Sequence, residues 1–404
     1  MVTSTSTPTR TVLLYAQDSR GLGHITRALT IARHLLASHP DLVVYIATKS
    51  PVASQFEVPE RCDYIKLPTR LTPATWNATA DDEEEARRRF RGIRSVLLRE
   101  AALGLAPDLV LVDHEPLGSS GEFRDGLYAL KERHPATRFV FGLRDIMDET
   151  DRIRDQWRAL GVYEAFEELY DGIAVYGWPR LYDVAQAYAI PASTCSKLHY
   201  CGFIVRQPPA AGRAALRREL DLPPDGPLVL ATVGSGSDGF PVLEAAGTAV
   251  ERLRARMPAL HAVMVTGPYM PAEHQALLQE RASPTCRVLP QADTLRLMAA
   301  ADAVVSMGGY NSVCEALALG RPLVIVPRAT HKVEQRIRAE ALAAHGLARW
   351  VHPRDLTDGK LARALEWALR SDPEVLAARV RAVIPSFDGA ARLTEYLARW
   401  LPAD

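Results

Sequence analysis

The sequence predicts an α/β protein of two domains, each built on a parallel sheet. Three observations predict it. The chain has 404 residues, too many for one ordinary core and suited to two domains of ~200 residues. Apolar runs of strand length alternate with helical patterns rich in Leu, Ala and Arg. Such continuous runs are what parallel strands buried on both faces look like, and each needs a crossover helix. Finally, two stretches begin on the same plan: an apolar run, a glycine-containing loop, then a helical pattern.

The first of these starts at 11–16 and leads through a glycine loop to a helix over Ile25 to Ala37. The second starts at 228–233 and leads through a glycine-rich loop to a helix over Val242 to Arg256. Between and after them, the runs 42–47, 109–112, 139–142, 172–175, 262–266, 303–306 and 323–326 read as further strands. The segment 206–227 holds Gln207-Pro208-Pro209, a short helix and then Pro223-Pro224-Asp225-Gly226-Pro227. Pro and Gly clusters mark connections, so we expect two Rossmann-like domains, 1–205 and 206–404. The last helix, 389–400, has the option of packing back on the first domain.

Composition excludes several classes. Lys plus Arg and Asp plus Glu are both 48, a balance unlike the basic excess of a nucleic-acid binder. Apolar residues make 48% and charged residues 24%, the mix of a folded protein. No apolar run reaches the ~18 residues of a membrane helix. The first ten residues lack an apolar core for a secretory leader, and five cysteines without a C-x-x-C make no disulfide framework. A cytoplasmic setting is expected. Nothing in the sequence speaks to oligomeric state.

Four loops carry candidate chemistry. In Asp18-Ser19-Arg20-Gly21-Leu22-Gly23-His24, Gly21 and Gly23 let backbone approach a ligand, but Thr26 stands where a dinucleotide fingerprint needs its third glycine. His24 sits at the carboxyl edge of the first strand, where open α/β sheets bind ligands. Its unperturbed pKa of ~6.5 suits proton transfer near neutrality; the alternative is a loop decoration. Asp113 ends the run 109–112 at the same edge, placed to fix an imidazole tautomer or to cap the next helix. His114 and Glu115 beside it compete for the role. Arg144 and Asp145, after 139–142, share that edge as substrate contacts or as an ion pair. No G-x-S-x-G supplies a nucleophile, so a base here would act on the substrate.

In the second half, Gly234-Ser235-Gly236-Ser237-Asp238-Gly239 formally matches G-x-G-x-x-G. The next strand ends in Gly267-Pro268, without the acid a ribose diol would need, which disfavours NAD. The amides of this loop still suit a phosphate at a helix start. The strongest signal is Ser306-Met307-Gly308-Gly309-Tyr310-Asn311-Ser312-Val313-Cys314-Glu315: a strand, a double glycine, then a helix capped by Asn311 or Ser312. Glu315, about a turn inside, has the acceptor oxygens to take both hydroxyls of a ribose; a lone Glu there is otherwise explained by the helix dipole.

At these residues the chain resembles the GT-B glycosyltransferases, and most of all the bacterial branch that includes the peptidoglycan N-acetylglucosaminyl transferase (family 28, and family 1-like). The resemblance rests on Arg20 to Leu29, Ser306 to Gly320, and Arg321 to Arg328 continuing through Glu334-Gln335 to Ala348. It implies two Rossmann-like domains facing a central cleft, the first binding the acceptor and the second a nucleotide diphosphate sugar, with UDP the expected nucleotide. It implies that Glu315 holds the ribose. Gly308, Gly309, Asn311 and Ser312 would face the diphosphate, with Gly234, Ser235, Gly236 and Ser237 helping, and Ser306 and Met307 would also stand on the donor side. Leu289 and Pro290 would lie against the base, Glu334 and Gln335 would touch sugar hydroxyls, and Arg328 would also stand on the donor side. His24 matches the family's loop base and Asp113 its orienting carboxylate, on a small-molecule acceptor. It further implies inversion, with no metal and no cofactor beyond the co-substrate. Related nucleotide-sugar epimerases open on Gly-Thr-Arg-Pro-Glu, whereas this chain has Gly-Leu-Gly-His. An epimerase or hydrolase of the same fold, or a non-catalytic nucleotide-sugar-binding partner protein, is the alternative.

Two charged segments remain. Asp81-Asp82-Glu83-Glu84-Glu85 reads as a solvated helix start rather than a metal site. The basic segment 87–99 places Phe90, Ile93, Leu97 and Ala101 on one helical face. The expectation is a helix docked by that face on the first domain; contact with an anionic acceptor or with the membrane surface is the alternative.

Overall fold

The structure is a computed structural model that describes residues 10–17, 22–69, 80–328 and 333–401. Two compact units emerge. The first takes residues within 1–179, 183–204 and 388–404, the second those within 180–182 and 205–387.

In the first unit seven strands form one parallel sheet, β1 (Arg10–Ala16), β2 (Leu42–Thr48), β3 (Cys62–Lys66), β4 (Leu109–Asp113), β5 (Arg138–Arg144), β6 (Gly172–Tyr176) and β7 (Leu198–Tyr200). Their order is β3-β2-β1-β4-β5-β6-β7. The central strands read as unbroken apolar runs because both faces are covered: Val12, Leu109, Val110, Leu111 and Val112 are wholly buried. Burying each such side chain contributes about 1.5–3 kcal/mol. Strand order reverses between β1 and β4, and that reversal opens a crevice at their carboxyl ends. Register aligns the ends: Ala16 pairs with Asp113, Asp113 with Gly142, and Arg144 with Tyr176.

The chain returns to this unit at its end. Helix Gly389–Ala398 lies beside helix Gly23–Ser38, and the Gly389 amide donates to the Phe203 carbonyl at 3.1 Å. A Cβ at Gly389 would strike that carbonyl, and one at Gly172 would strike the Tyr396 hydroxyl. Small residues at both places let the helix seat closely. The second unit therefore stops at Phe387.

The second unit has six parallel strands, β8 (Leu228–Thr232), β9 (His261–Val265), β10 (Cys286–Leu289), β11 (Ala303–Ser306), β12 (Leu323–Ile325) and β13 (Ala348–Trp350), in the order β10-β9-β8-β11-β12-β13. The reversal falls between β8 and β11, so the plan of the first unit repeats. Helices Phe240–Arg254 and Lys360–Leu369 close one face over Val229, Ala231, Met264 and Val305. Four strands, β3, β7, β10 and β13, have no counterpart among the expected runs.

The acidic run occupies the first turns of helix Ala80–Leu105. Along that helix the docked face centres on Leu98 and Ala102, against helix Arg124–Arg133, while Ile93, Val96 and Leu97 are exposed. The expected face, with Ile93 and Leu97, is therefore rotated from the one that packs. Arg94, between these faces, donates from Nε to the buried Glu122 carboxylate at 2.7 Å. Among the described residues no helix is long and apolar enough to cross a membrane.

Candidate active site

At the switch point of the first unit, helix Gly23–Ser38 begins directly after the first loop. Gly21, with Asp18 to Arg20, lies outside the described residues. Gly23 opens the helix, and Thr26 Oγ1 donates to the Leu22 carbonyl at 2.7 Å, tying its first turn. His24 Nδ1 lies 2.7 Å from Asp113 Oδ2. Arg27, one turn along the same helix, is the residue that sequence reasoning missed. Its Nε donates to Asp113 Oδ1 at 2.9 Å and its Nη2 to Oδ2 at 2.6 Å, and Nη2 also stands 2.9 Å from His24 Nδ1. The Arg27 side chain is 1% exposed and that of His24 16%.

The protonation pattern follows from charge. Burial works against an ionised Asp113, but the Arg27 charge and the hydrogen bond from His24 outweigh it and bring its carboxyl down to about 2. An ionised carboxylate only accepts, so Nδ1 of His24 carries the proton and donates to Asp113. Nε2 then holds a lone pair, the state a general base needs. Burial pushes the His24 pKa down to about 4, with Arg27 and Arg144 adding to the fall and Asp113 opposing it.

The neighbours of this pair are also set by the sheet edge. His114 takes a left-handed φ of 72° and its ring lies 4.9 Å from that of His24; a non-glycine residue held there is strained, and such residues gather at functional sites. Arg144 and Asp145 are buried at the end of β5. Tyr176 pairs in register with Arg144, its ring lies 5.8 Å from the Arg27 guanidinium, and Gly142 leaves room for its hydroxyl.

The second unit assembles its own set at the ends of β8 and β11. Gly308 has a φ of 84° and Ser306 Oγ accepts from its amide at 3.2 Å. The next helix is Tyr310–Ala318 with Gly309 at its N-cap. Asn311 and Ser312 thus fall inside the first turn and do not cap it: the double glycine already turns the chain, so the helix starts two residues earlier than a cap at Asn311 would require. Met307 is buried in the sheet core. Arg338, 1% exposed, donates from Nη1 to the Gly308 carbonyl at 2.9 Å and fixes the turn from beneath.

Glu315 is gripped by Arg206, Nε to Oε1 at 2.6 Å and Nη2 to Oε2 at 3.0 Å. Arg206 also reaches Asp293 Oδ1 at 3.4 Å. In the loop after β8, Gly234 and Gly236 have φ of 65° and 92°, and the Tyr269 amide donates to the Ser235 carbonyl at 2.8 Å. A Cβ at Gly236 would strike the Thr266 carbonyl. Beyond Ser237, Asp238 accepts from Arg328 Nη2 at 2.9 Å. The Arg328 amide donates to Gln335 Oε1 at 2.9 Å, and Glu334 opens helix Glu334–Ala344. The Leu289 carbonyl accepts from the Thr266 amide at 3.0 Å. Pro290, with Thr266, Gln275 and Val288, lines a cavity of about 310 Å³. Among the described residues no group of three or more His, Cys, Asp or Glu is placed to hold a metal.

Known proteins share this architecture over nearly the whole chain. The glycotransferase of kitacinnamycin superposes with a TM-score of 0.66, covering 97% of this chain and 99% of its own at 20% identity. The calicheamicin glycosyltransferase CalG4 does so with the same score, covering 97% and 98% at 20% identity. The chain has the GT-B fold.

Within this GT-B chain, residues 229–392 match the glycosyltransferase family 28 C-terminal domain. The enzyme named UDP-N-acetylglucosamine–N-acetylmuramyl-(pentapeptide) pyrophosphoryl-undecaprenol N-acetylglucosamine transferase is 36% identical in Methylobacterium sp. (strain 4-46), over 52% of this chain and 57% of its own. The Rhodopseudomonas palustris (strain HaA2) protein of that name is 33% identical over 47% and 53%. An uncharacterised glycosyltransferase of Methanopyrus kandleri is 27% identical over 52% and 56%. The chain thus spans about half the length of the curated relatives it matches.

Proposed function

We propose that this protein is an inverting, cytoplasmic glycosyltransferase that moves a sugar from a nucleotide diphosphate sugar, a UDP- or dTDP-sugar, to a small-molecule acceptor. The observation that carries the reading is the 2.7 Å His24–Asp113 pair at a sheet switch point, in a chain whose other unit matches a glycosyltransferase family 28 domain. UDP is favoured because the similar bacterial proteins are named for a UDP-sugar.

The chemistry uses this chain's own groups. His24 Nε2 takes the proton of an acceptor hydroxyl while its oxygen attacks the anomeric carbon. The bond from that carbon to the diphosphate oxygen breaks with its electron pair, and attack from the opposite face inverts the centre. The leaving diphosphate's charge falls to amides at the helix start Gly308 to Ser312 and in the loop Gly234 to Ser237, which need no reorganisation as charge develops. Glu315 holds the ribose, Leu289 and Pro290 lie against the base, and Arg328, Glu334 and Gln335 serve the sugar. Gly23, Arg144 and Asp145 line the acceptor side. The step as written requires no metal.

Incubating the protein with UDP-sugars, with and without a panel of acceptors, and resolving products by mass and NMR tests this. Acceptor-dependent transfer with an inverted anomeric centre is expected. An epimer or free sugar formed at full rate without acceptor would make it an epimerase or hydrolase. Binding with no turnover on any acceptor would favour a non-catalytic partner protein.

A further inference from the structure

We propose that Arg27 is a positioning residue that sets the proton affinity of His24, holding the imidazole unprotonated and in its Nδ1–H tautomer well below neutral pH. The proposal rests on the reading of His24 as the base and deepens it.

A paired His and Asp is the usual way to raise an imidazole's basicity, because the carboxylate stabilises the imidazolium. Here the carboxylate is already matched. Arg27 holds both oxygens of Asp113, at 2.9 and 2.6 Å, the bidentate fork that suits guanidinium and carboxylate. The three side chains together are neutral when His24 is neutral. Protonating His24 would set a second cation 2.9 Å from the Arg27 Nη2, in a place where both Arg27 and Asp113 are buried.

Burial is the largest influence against the imidazolium, and the charged and titratable groups around it among the described residues add to that balance. On its own helix stands Arg27. From the end of β4 come Asp113 and the His114 ring, at 4.9 Å. From the end of β5 comes Arg144, which also disfavours the imidazolium. From β6 comes Tyr176, whose hydroxyl burial keeps protonated and whose ring lies 5.8 Å from the Arg27 guanidinium. Among the described residues two arginines thus oppose one carboxylate, and Arg27 acts twice, as a repelling charge and as the group that occupies Asp113.

The test is the titration of His24 itself, followed by imidazole NMR on the whole protein, with Arg27→Gln as the variant. The wild-type ring is expected to stay neutral with Nδ1 protonated down to about pH 5, against an ordinary midpoint of ~6.5. In Arg27→Gln the midpoint rises by about one unit or more, and the acid limb of kcat/KM moves up with it. An unmoved midpoint in a folded Arg27→Gln overturns the proposal. So does a wild-type midpoint near its ordinary value, a reading that needs no variant. His24→Ala separates the two claims: full transfer by that variant removes the base role, whatever the titration shows.

Discussion

Arg206 holds both carboxylate oxygens of Glu315, at 2.6 and 3.0 Å, and the Glu315 side chain is 4% exposed. A carboxylate buried to this degree needs a partner, and Arg206, at 29% exposure, reaches it from the chain that enters the second unit. Each Glu315 oxygen has a further lone pair for a ribose hydroxyl. Glu315→Ala is expected to weaken UDP binding about 10–100-fold, the loss of hydrogen bonds to a charged group. Calorimetry reads it, and an unchanged dissociation constant takes Glu315 out of the donor site. In denaturation, Arg206→Ala and Glu315→Ala should be non-additive by about 1–3 kcal/mol; additive losses would mean the pair contributes nothing.

Gly142 matters for what stands over it. A Cβ there would overlap the Tyr176 hydroxyl and come within 2.7 Å of its Cζ. Gly142→Ala should displace the ring from Arg27 and cost about 1–3 kcal/mol of overpacking, seen as a lower melting temperature together with a lower kcat. Adding Tyr176→Phe removes the offending oxygen and should restore part of both. A single variant that melts like the wild type would show that the ring moves freely and does not hold Arg27.

The pH dependence of stability follows from the same cluster. The folded state keeps the His24 pKa at about 4, below its ordinary 6.5, so between those values the unfolded chain binds the extra proton. Stability therefore falls as pH drops from 6.5 towards 4. Asp113, held near 2 rather than 3.8, adds a further loss below 3.8. Denaturant melts at pH 7 and pH 4.5 should differ in the wild type, and His24→Gln should reduce the difference, with His34, His39, His199 and His261, which burial also lowers, keeping the rest. A wild-type curve that is flat across this range, or an unchanged slope in His24→Gln, contradicts the assignment.

The sequence disclosed what full burial writes into it. The central strands are apolar throughout because both faces are covered, so β1, β4, β8 and β11 stand out, and with them the edges where His24, Asp113 and the double glycine lie. β3 escaped notice because it is an edge strand with Asp63 and Lys66 exposed, and β7 and β13 because three residues carry no period. Arg27 and Arg206 read as surface charge on a helix and in a linker. Their carboxylates stand 86 and 109 residues away, and only the fold brings them together. A turn's spacing from His24 was the one local sign that Arg27 shares its face.

The central claim is that His24 takes the acceptor's proton while the other unit holds the donor. It is tested most directly by comparing wild-type and His24→Ala protein for transfer from a labelled UDP-sugar, with UDP affinity measured on the same samples. The account predicts that transfer falls about 10²–10⁴-fold while the dissociation constant for UDP is unchanged. Transfer retained at the wild-type rate, or UDP binding lost along with it, would contradict the account.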